Sequence, residues 1–297
     1  MNLKTYIDKL KLKSAELGFV FSEKEIKYGL QLLFEKDSEK IPVNIYYSVK
    51  KGITAVVGGS KSNVLRPEVL TLLEKPADKA DEQHTWNVWA GTDESGKGDY
   101  FGPLVVCGFI ANKKIEPILK KLGVQDSKKI TDKDIKRIAE KLLFTFPKSF
   151  EVLILNPVKY NDLYEKFRSQ GKKLNEMLAW MHARIILNLK QKHSFEGAVV
   201  DKFANDKTMK TSLKGIEEVQ LIQKHQAESD IAVAAASVIA RYFFLKNLRK
   251  LGEEFGIDLP KGASAKVITV GKQLTEHKIS LGNVAKLHFK TTEKIGK

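Results

Sequence analysis

Apolar positions recur at helical spacing near the start of the chain, where Tyr6, Leu10 and Leu17 are separated by lysines. This pattern predicts a short amphipathic helix over 4–16. Three strand-like segments follow: YGLQLLFE (28–35), IPVNIYYS (41–48) and GITAVVGG (52–59). Polar turns, EKDSEK and VKKG, separate them. A second short helix is predicted over 67–74. One helix with a three-stranded meander makes a small α+β unit. The stretch EKPADKADEQHT (74–85) holds a proline, many charges and almost nothing apolar, and reads as a linker.

From Trp86 the pattern changes. VWAGTDE and PLVVCGFI read as strands joined by a glycine-bearing turn, and FEVLILN (150–156) reads as a buried strand. TDKDIKRIAEKLLFTF is a helix with Thr131 as N-cap and Asp134 at the capping-box position. LNEMLAWMHARIILNLK (174–190) is a long helix with one apolar face, and SDIAVAAASVIARYFFLKNL (229–248) an alanine-rich one. GAVVDKF (197–203) and EVQLIQ (218–223) are strands, and a last short helix is expected around 281–286. The expected organisation is an α+β unit at 1–73, a linker at 74–85 and an α/β domain at 86–297, with a mixed sheet flanked by helices.

Charge adds a class of partner. The net charge is +15. Residues 1–85 contain 14 basic and 12 acidic residues, the remainder 37 and 24, so the positive field belongs to the later part. Such a balance is the footprint of a polyanion partner, with a lysine-rich composition as the plain alternative. The single cysteine, Cys107, excludes an intrachain disulfide and a thiolate zinc site, and its apolar neighbours mark it as a core residue. No apolar run approaches the roughly 20 residues that a membrane helix needs. The N-terminus lacks the apolar stretch of a signal peptide, so a cytoplasmic location is expected.

The candidate chemistry starts in GTDESGKGDYFGP (91–103), where Asp93 and Glu94 end an apolar strand ahead of a glycine-rich turn. Two adjacent carboxylates repel, and burial disfavours their ionised forms. A divalent cation removes that cost, and hard oxygen ligands favour magnesium or manganese. Without a cation the pair reads as a solvated turn. Asp201 ends the buried strand GAVV, and Glu228 lies at the entrance of the alanine-rich helix. Ser229 and Asp230 suit capping, and Asp230 competes with Glu228 as the fourth acid. Acids converging from strand tips and a helix start suit two metal ions about 4 Å apart, for in-line displacement at phosphorus.

DESGKGDYFGP resembles the type 2 ribonucleases H in its Asp-Glu, Gly-x-Gly and Gly-Pro elements. DSKK (126–129) resembles their Asp-Ser-Lys element, and AESDIAVAAASVIAR (227–241) their alanine-rich helix preceded by the last metal ligand. Within that group the chain is most similar to ribonuclease HIII. Glu228 stands where ribonuclease HII typically has aspartate, and the N-terminal extension resembles a small TATA-binding-protein-like domain. LPKGASAKV (259–267) and LHFKTT (287–292) also resemble that family. The resemblance implies a ribonuclease H-like domain with a five-stranded mixed sheet. It implies endonucleolytic cleavage of the RNA strand of an RNA–DNA hybrid, leaving 5′-phosphate and 3′-hydroxyl ends, with Mg2+ or Mn2+. It also implies a need for runs of ribonucleotides. Asp93, Glu94, Asp201 and Glu228 are then the catalytic metal ligands.

Telling RNA from DNA requires contact with the 2′-hydroxyl. Gly96 and Gly98 would let backbone groups approach the ribose, and Lys97 would meet a phosphate. Ser127 and Lys128 make a suitable phosphate pair, with Ser237 as a further candidate or a small packing residue. Tyr47 and Lys50, beside Tyr46 and Lys51, offer aromatic and basic groups to a hybrid backbone. His182 reads as a packed helix residue, and His225 as a candidate for proton transfer. The partner expected is an RNA–DNA hybrid, without a membrane or a required protein partner, bound by a monomer. Two other readings stand open: excision of single embedded ribonucleotides in the manner of ribonuclease HII, and a non-catalytic hybrid-binding protein, which the presence of all four acids argues against.

Overall fold

The computed structural model describes residues 3–48, 52–60, 62–73, 84–127, 130–201, 209, 212, 219–224 and 227–296. The chain divides into two compact units, Met1–His84 and Thr85–Lys297. Most of the expected linker, 74–83, lies outside the described residues.

In the first unit, α1 (Leu3–Glu16) precedes β1 (Val20–Ile26), β2 (Gly29–Lys36), β3 (Glu39–Ser48) and β4 (Gly52–Val57), and α2 (Arg66–Leu73) follows. The strands form one antiparallel sheet in the order β1-β2-β3-β4. Side chains alternate across a strand, so Leu32, Phe34, Ile41, Val43 and Ile45 share one face and pack with Tyr6, Ile7 and Leu10 of α1 and Val69 and Leu72 of α2. The opposite face carries Lys24, Gln31, Asn44 and Val56 in one row and Tyr46 beside Thr54 in another. The sequence predicts three strands here, and the structure adds β1. Its reading VFSEKEI has no apolar alternation, because it is an exposed edge strand whose Glu23, Lys24 and Glu25 discourage further pairing.

The second unit is built on a five-stranded sheet of order β7-β6-β5-β8-β9. Its strands are β5 (Val88–Ser95), β6 (Leu104–Asn112), β7 (Phe150–Leu155), β8 (Gly197–Asp201) and β9 (Gln220–Lys224). β5, β6 and β7 pair antiparallel, whereas β8 runs parallel to both β5 and β9. The sheet is mixed, as expected. β7 is an edge strand and only half-buried, although its continuous apolar run predicts full burial. One face is covered by α3 (Glu116–Lys121), α4 (Asp132–Thr145) and α7 (Ile231–Phe255), the other by α5 (Pro157–Ser169) and α6 (Leu174–Lys192). Helices α8 (Ala265–Glu276), α9 (Leu281–Val284) and α10 (Lys290–Ile295) complete the unit.

α4 starts as predicted: the Thr131 hydroxyl accepts from the Asp134 amide, and the same hydroxyl donates to the Asp134 carboxylate. α5 was not expected from the apolar pattern, yet its start is written locally, with Asn156 as N-cap and Pro157 in the first turn. α7 is long and apolar enough to cross a bilayer, against the expectation that no segment would be, but most of its apolar stretch is buried in the core.

Gly91 sets how close α7 lies to the sheet. A Cβ there would stand 2.2 Å from the Val233 amide nitrogen and 2.8 Å from the Ala232 side chain, so only glycine lets the first turn of α7 rest on β5. Gly91→Val is expected to destabilise this unit by about 3 kcal/mol and to lower its melting temperature by about 6–12 °C. Calorimetry checks this, and an unchanged melting temperature contradicts it.

Candidate functional site

The close approach of α7 to β5 brings three chain segments to one end of the sheet. In the parallel β5–β8 pair Thr92 is opposite Val200, so Asp93 and Asp201 occupy the next position on neighbouring strands. The Asp201 carboxylate accepts from the Ala227 amide at 3.4 Å. Ala227 opens a single 3-10 turn, Ala227–Ser229, that contains Glu228 and leads into α7.

Strand alternation sends Asp93 and Glu94 to opposite faces. Asp93 turns towards α7 and bonds with Ser237, while its Oδ1 accepts from the Glu94 amide at 2.8 Å. Burial and the charge of Glu94 push its carboxyl well above the usual range, and Glu228 adds to this. Glu94 turns towards α6. Burial alone would raise its pKa, but the hydrogen bond from His182 and the charges of His182 and Lys97 outweigh that and hold it low. The buried His182 Nε2 lies 3.2 Å from Glu94 Oε2, and its Nδ1 is 2.8 Å from the Thr92 hydroxyl. The carboxylate requires a proton on Nε2, so His182 donates to Glu94 while its Nδ1 pairs with the Thr92 hydroxyl.

The other candidates fall around this centre. Lys97 Nζ lies 3.5 Å from Glu94 Oε1, so in this structure it faces a carboxylate. Gly96 has φ +92°, and a Cβ there would stand 2.2 Å from the Pro103 carbonyl oxygen, so the turn itself demands glycine. Gly98 is exposed, with nothing near its Cβ position. Ser127 and Ser237 are both buried and share a hydrogen bond of 2.7 Å, which joins Ser127 to the Asp93 neighbourhood. The guanidinium of Arg241 donates to the Ser127 carbonyl and, at 2.7 Å, to Asp132. Asp230 is the N-cap of α7: it accepts from the Ala232 and Val233 amides at 2.9 and 3.2 Å and from the Trp89 indole at 3.1 Å. Tyr47 is exposed on the parity of the helix-covered face of the first unit, and Tyr46 lies on the opposite face. Lys50, Lys51, Lys128 and His225 lie outside the described residues.

The family model for Ribonuclease HII matches residues 90–292. The ribonuclease HIII of Chlamydia abortus is 37% identical over 95% of this chain and 91% of its own length. The chain belongs to the ribonuclease HIII family. The ribonuclease HIII of Protochlamydia amoebophila is 39% identical over 69% of this chain and 67% of its own. The crystal structure of Bst-RNase HIII in complex with Mn2+ matches with a TM-score of 0.66 and 26% identity, over 97% of this chain and 95% of that one. These whole-chain ribonuclease HIII matches include the N-terminal sheet, which the match beginning at residue 90 does not reach.

Asp93, Asp201, Glu228 and Glu94 offer only hard carboxylate oxygens, and the repulsion of Asp93 by Glu94 and Glu228 is what a cation relieves. The residues fit a magnesium- or manganese-type ion in kind. Among the described residues, no three His, Cys, Asp or Glu side chains already stand as a ready ligand group. Alternation separates Asp93 from Glu94, and His182 and Lys97 hold Glu94.

His182 is the residue that sequence reasoning placed only as packing. Its signal was present: a histidine on the face that buries Met177, Leu178, Met181, Ile185 and Ile186 must find polar partners.

Proposed function

We propose that this chain is an endoribonuclease that hydrolyses the RNA strand of RNA–DNA hybrids, with Asp93, Glu94, Asp201 and Glu228 holding Mg2+ or Mn2+. The observation that carries the reading is the adjacency of Asp93 and Asp201 at the ends of parallel strands, with Glu228 close enough to act on Asp93 by charge. Asp230 is committed to its cap and to Trp89, which supports Glu228 as the fourth acid.

Bound there, two divalent ions supply activation of water and stabilisation of a leaving 3′ oxygen, which yields 5′-phosphate and 3′-hydroxyl ends. Ser237 fixes the orientation of Asp93, and His182 that of Glu94. Gly96 and Gly98 present backbone groups to the ribose 2′-hydroxyl. Lys97, Ser127, Lys128 and Ser237 line the phosphate path. Ser127 and Ser237 act there through their paired hydroxyls, while Lys97 exchanges its contact with Glu94 for a phosphate.

The first unit, residues 1–73, serves as the substrate-binding domain in the manner of a TATA-binding-protein-like sheet, with Tyr47 and Lys50 as substrate contacts and 74–85 as the linker. The catalytic domain is 86–297. The enzyme works in the cytoplasm as a monomer without a required protein partner. The decisive substrates are a continuous hybrid and a DNA duplex with one embedded ribonucleotide. Preferential cleavage of the hybrid is expected, and cleavage confined to the single ribonucleotide overturns the reading.

His182→Ala is expected to weaken manganese activation of cleavage about 10–100-fold, as loss of a group that orients a ligand does. A Mn2+ titration of hybrid cleavage at a temperature where the variant is folded checks this. An unshifted titration midpoint contradicts it.

A further inference from the structure

Lys286 is the one fully buried lysine among the described residues. Its Nζ donates to the backbone carbonyls of Asp99 and Gly102, each at 2.7 Å, and lies 3.4 Å from that of Phe101. The three carbonyls belong to the loop that leaves Asp93 and Glu94 and carries Gly96, Lys97 and Gly98. An ammonium has three protons and no acceptor, so a cluster of carbonyls satisfies it. An irregular loop cannot pair its own carbonyls in a ladder, so each needs an external donor.

The C-terminal segment adds backbone contacts at the same place. The Lys286 amide donates to the Tyr100 carbonyl, and the Gly102 amide to the Val284 carbonyl, both at 2.9 Å. Phe101 and Ala285 form a β-bridge. On the other side the Tyr100 amide donates to the Gly262 carbonyl at 2.9 Å, and the Gly262 amide donates to the Asp99 carboxylate at 2.6 Å. The Asp99 amide closes the turn onto the Gly96 carbonyl at 3.3 Å.

Given the reading of this loop as the ribose contact, on which the inference rests, we propose that Lys286 is a positioning residue for substrate recognition. Its ammonium gathers three carbonyls from beneath and fixes the curve on which Gly96, Lys97 and Gly98 are presented. Burial pushes Lys286 down to about 7, with the charge of Asp99 drawing it back up. Such a group is unfavourable to bury for packing alone, since a methionine would fill the same space.

The test compares the full-length wild-type chain with Lys286→Met by hydrogen exchange and by hybrid cleavage. Amide protection at residues 99–102 is expected to fall while that of β5 and β6 stays. The KM for the hybrid is expected to rise about tenfold, as one lost recognition contact produces, with kcat within about threefold. Unchanged protection at 99–102, or an unchanged KM with only a lower melting temperature, overturns the proposal. Should Lys286→Met fail to fold, Lys286→Ala is refolded in n-propylammonium, which replaces the missing stem and charge. Loss of protection at 99–102 when that amine is dialysed out supports the role, and no change overturns it. If wild-type protein does not cleave hybrids, the functional reading fails, whereas the exchange data still decide whether Lys286 holds the loop.

Discussion

Asp93→Asn abolishes cleavage of an RNA–DNA hybrid and leaves binding of the hybrid in place. Asp201 is beside Asp93 in register, the Glu94 backbone amide donates to it, and Glu228 acts on it by charge. Replacing it with an amide keeps the shape and removes the negative charge. Metal assistance contributes several kcal/mol to the transition state, so a loss of about a thousandfold or more in kcat is expected. Binding depends instead on lysine–phosphate contacts spread over a strongly basic chain, and the Kd should stay within about threefold. Single-turnover cleavage with a filter-binding measurement in the same buffer separates the two. Cleavage at wild-type rate in this variant sinks the ligand assignment.

Deleting residues 1–80 raises the KM for hybrid, by about tenfold, more than it lowers the rate of the chemical step. The second unit holds its own sheet and core, so the four acids remain in place without the first. On the proposed reading, what is lost is a sheet face that lies along the nucleic-acid backbone, and each tenfold loss of affinity corresponds to about 1.4 kcal/mol. Charge sharpens the prediction. Residues 1–85 carry 14 basic and 12 acidic residues, so most of the field lies in the remainder. The truncated enzyme should therefore keep most of the steep salt dependence of the full chain while binding more weakly at every salt concentration. A KM equal to that of the full chain at both low and high salt contradicts this.

Where a signal is local, the residues state the fold directly. Thr131 and Asp134 announce the start of α4, and the glycine-rich turn after Asp93 announces the loop. Asn156 and Pro157 announce α5 equally well once the cap is read before the apolar pattern. β1 is different: as an edge strand it buries little, so its membership in the sheet rests on backbone pairing with β2 and leaves no periodic trace. The acids could be nominated from strand ends, but not their directions. That Asp93 faces α7 and Glu94 faces α6 follows from alternation, and the partners it selects lie far away along the chain. Ser237, His182 and Lys286 take their meaning from contacts across more than 80 residues. Gly91 bears no local mark of the helix seated on it, because α7 lies more than 130 residues further along the chain.

On the proposed reading these carboxylates work by holding divalent ions. The most direct measurement is cleavage mapping of an end-labelled RNA–DNA hybrid with Mg2+, with Mn2+ and with EDTA. Cuts within the RNA strand under either ion, 3′-hydroxyl ends and no cleavage under EDTA are the predicted result. Undiminished cleavage of the RNA strand in EDTA would contradict it.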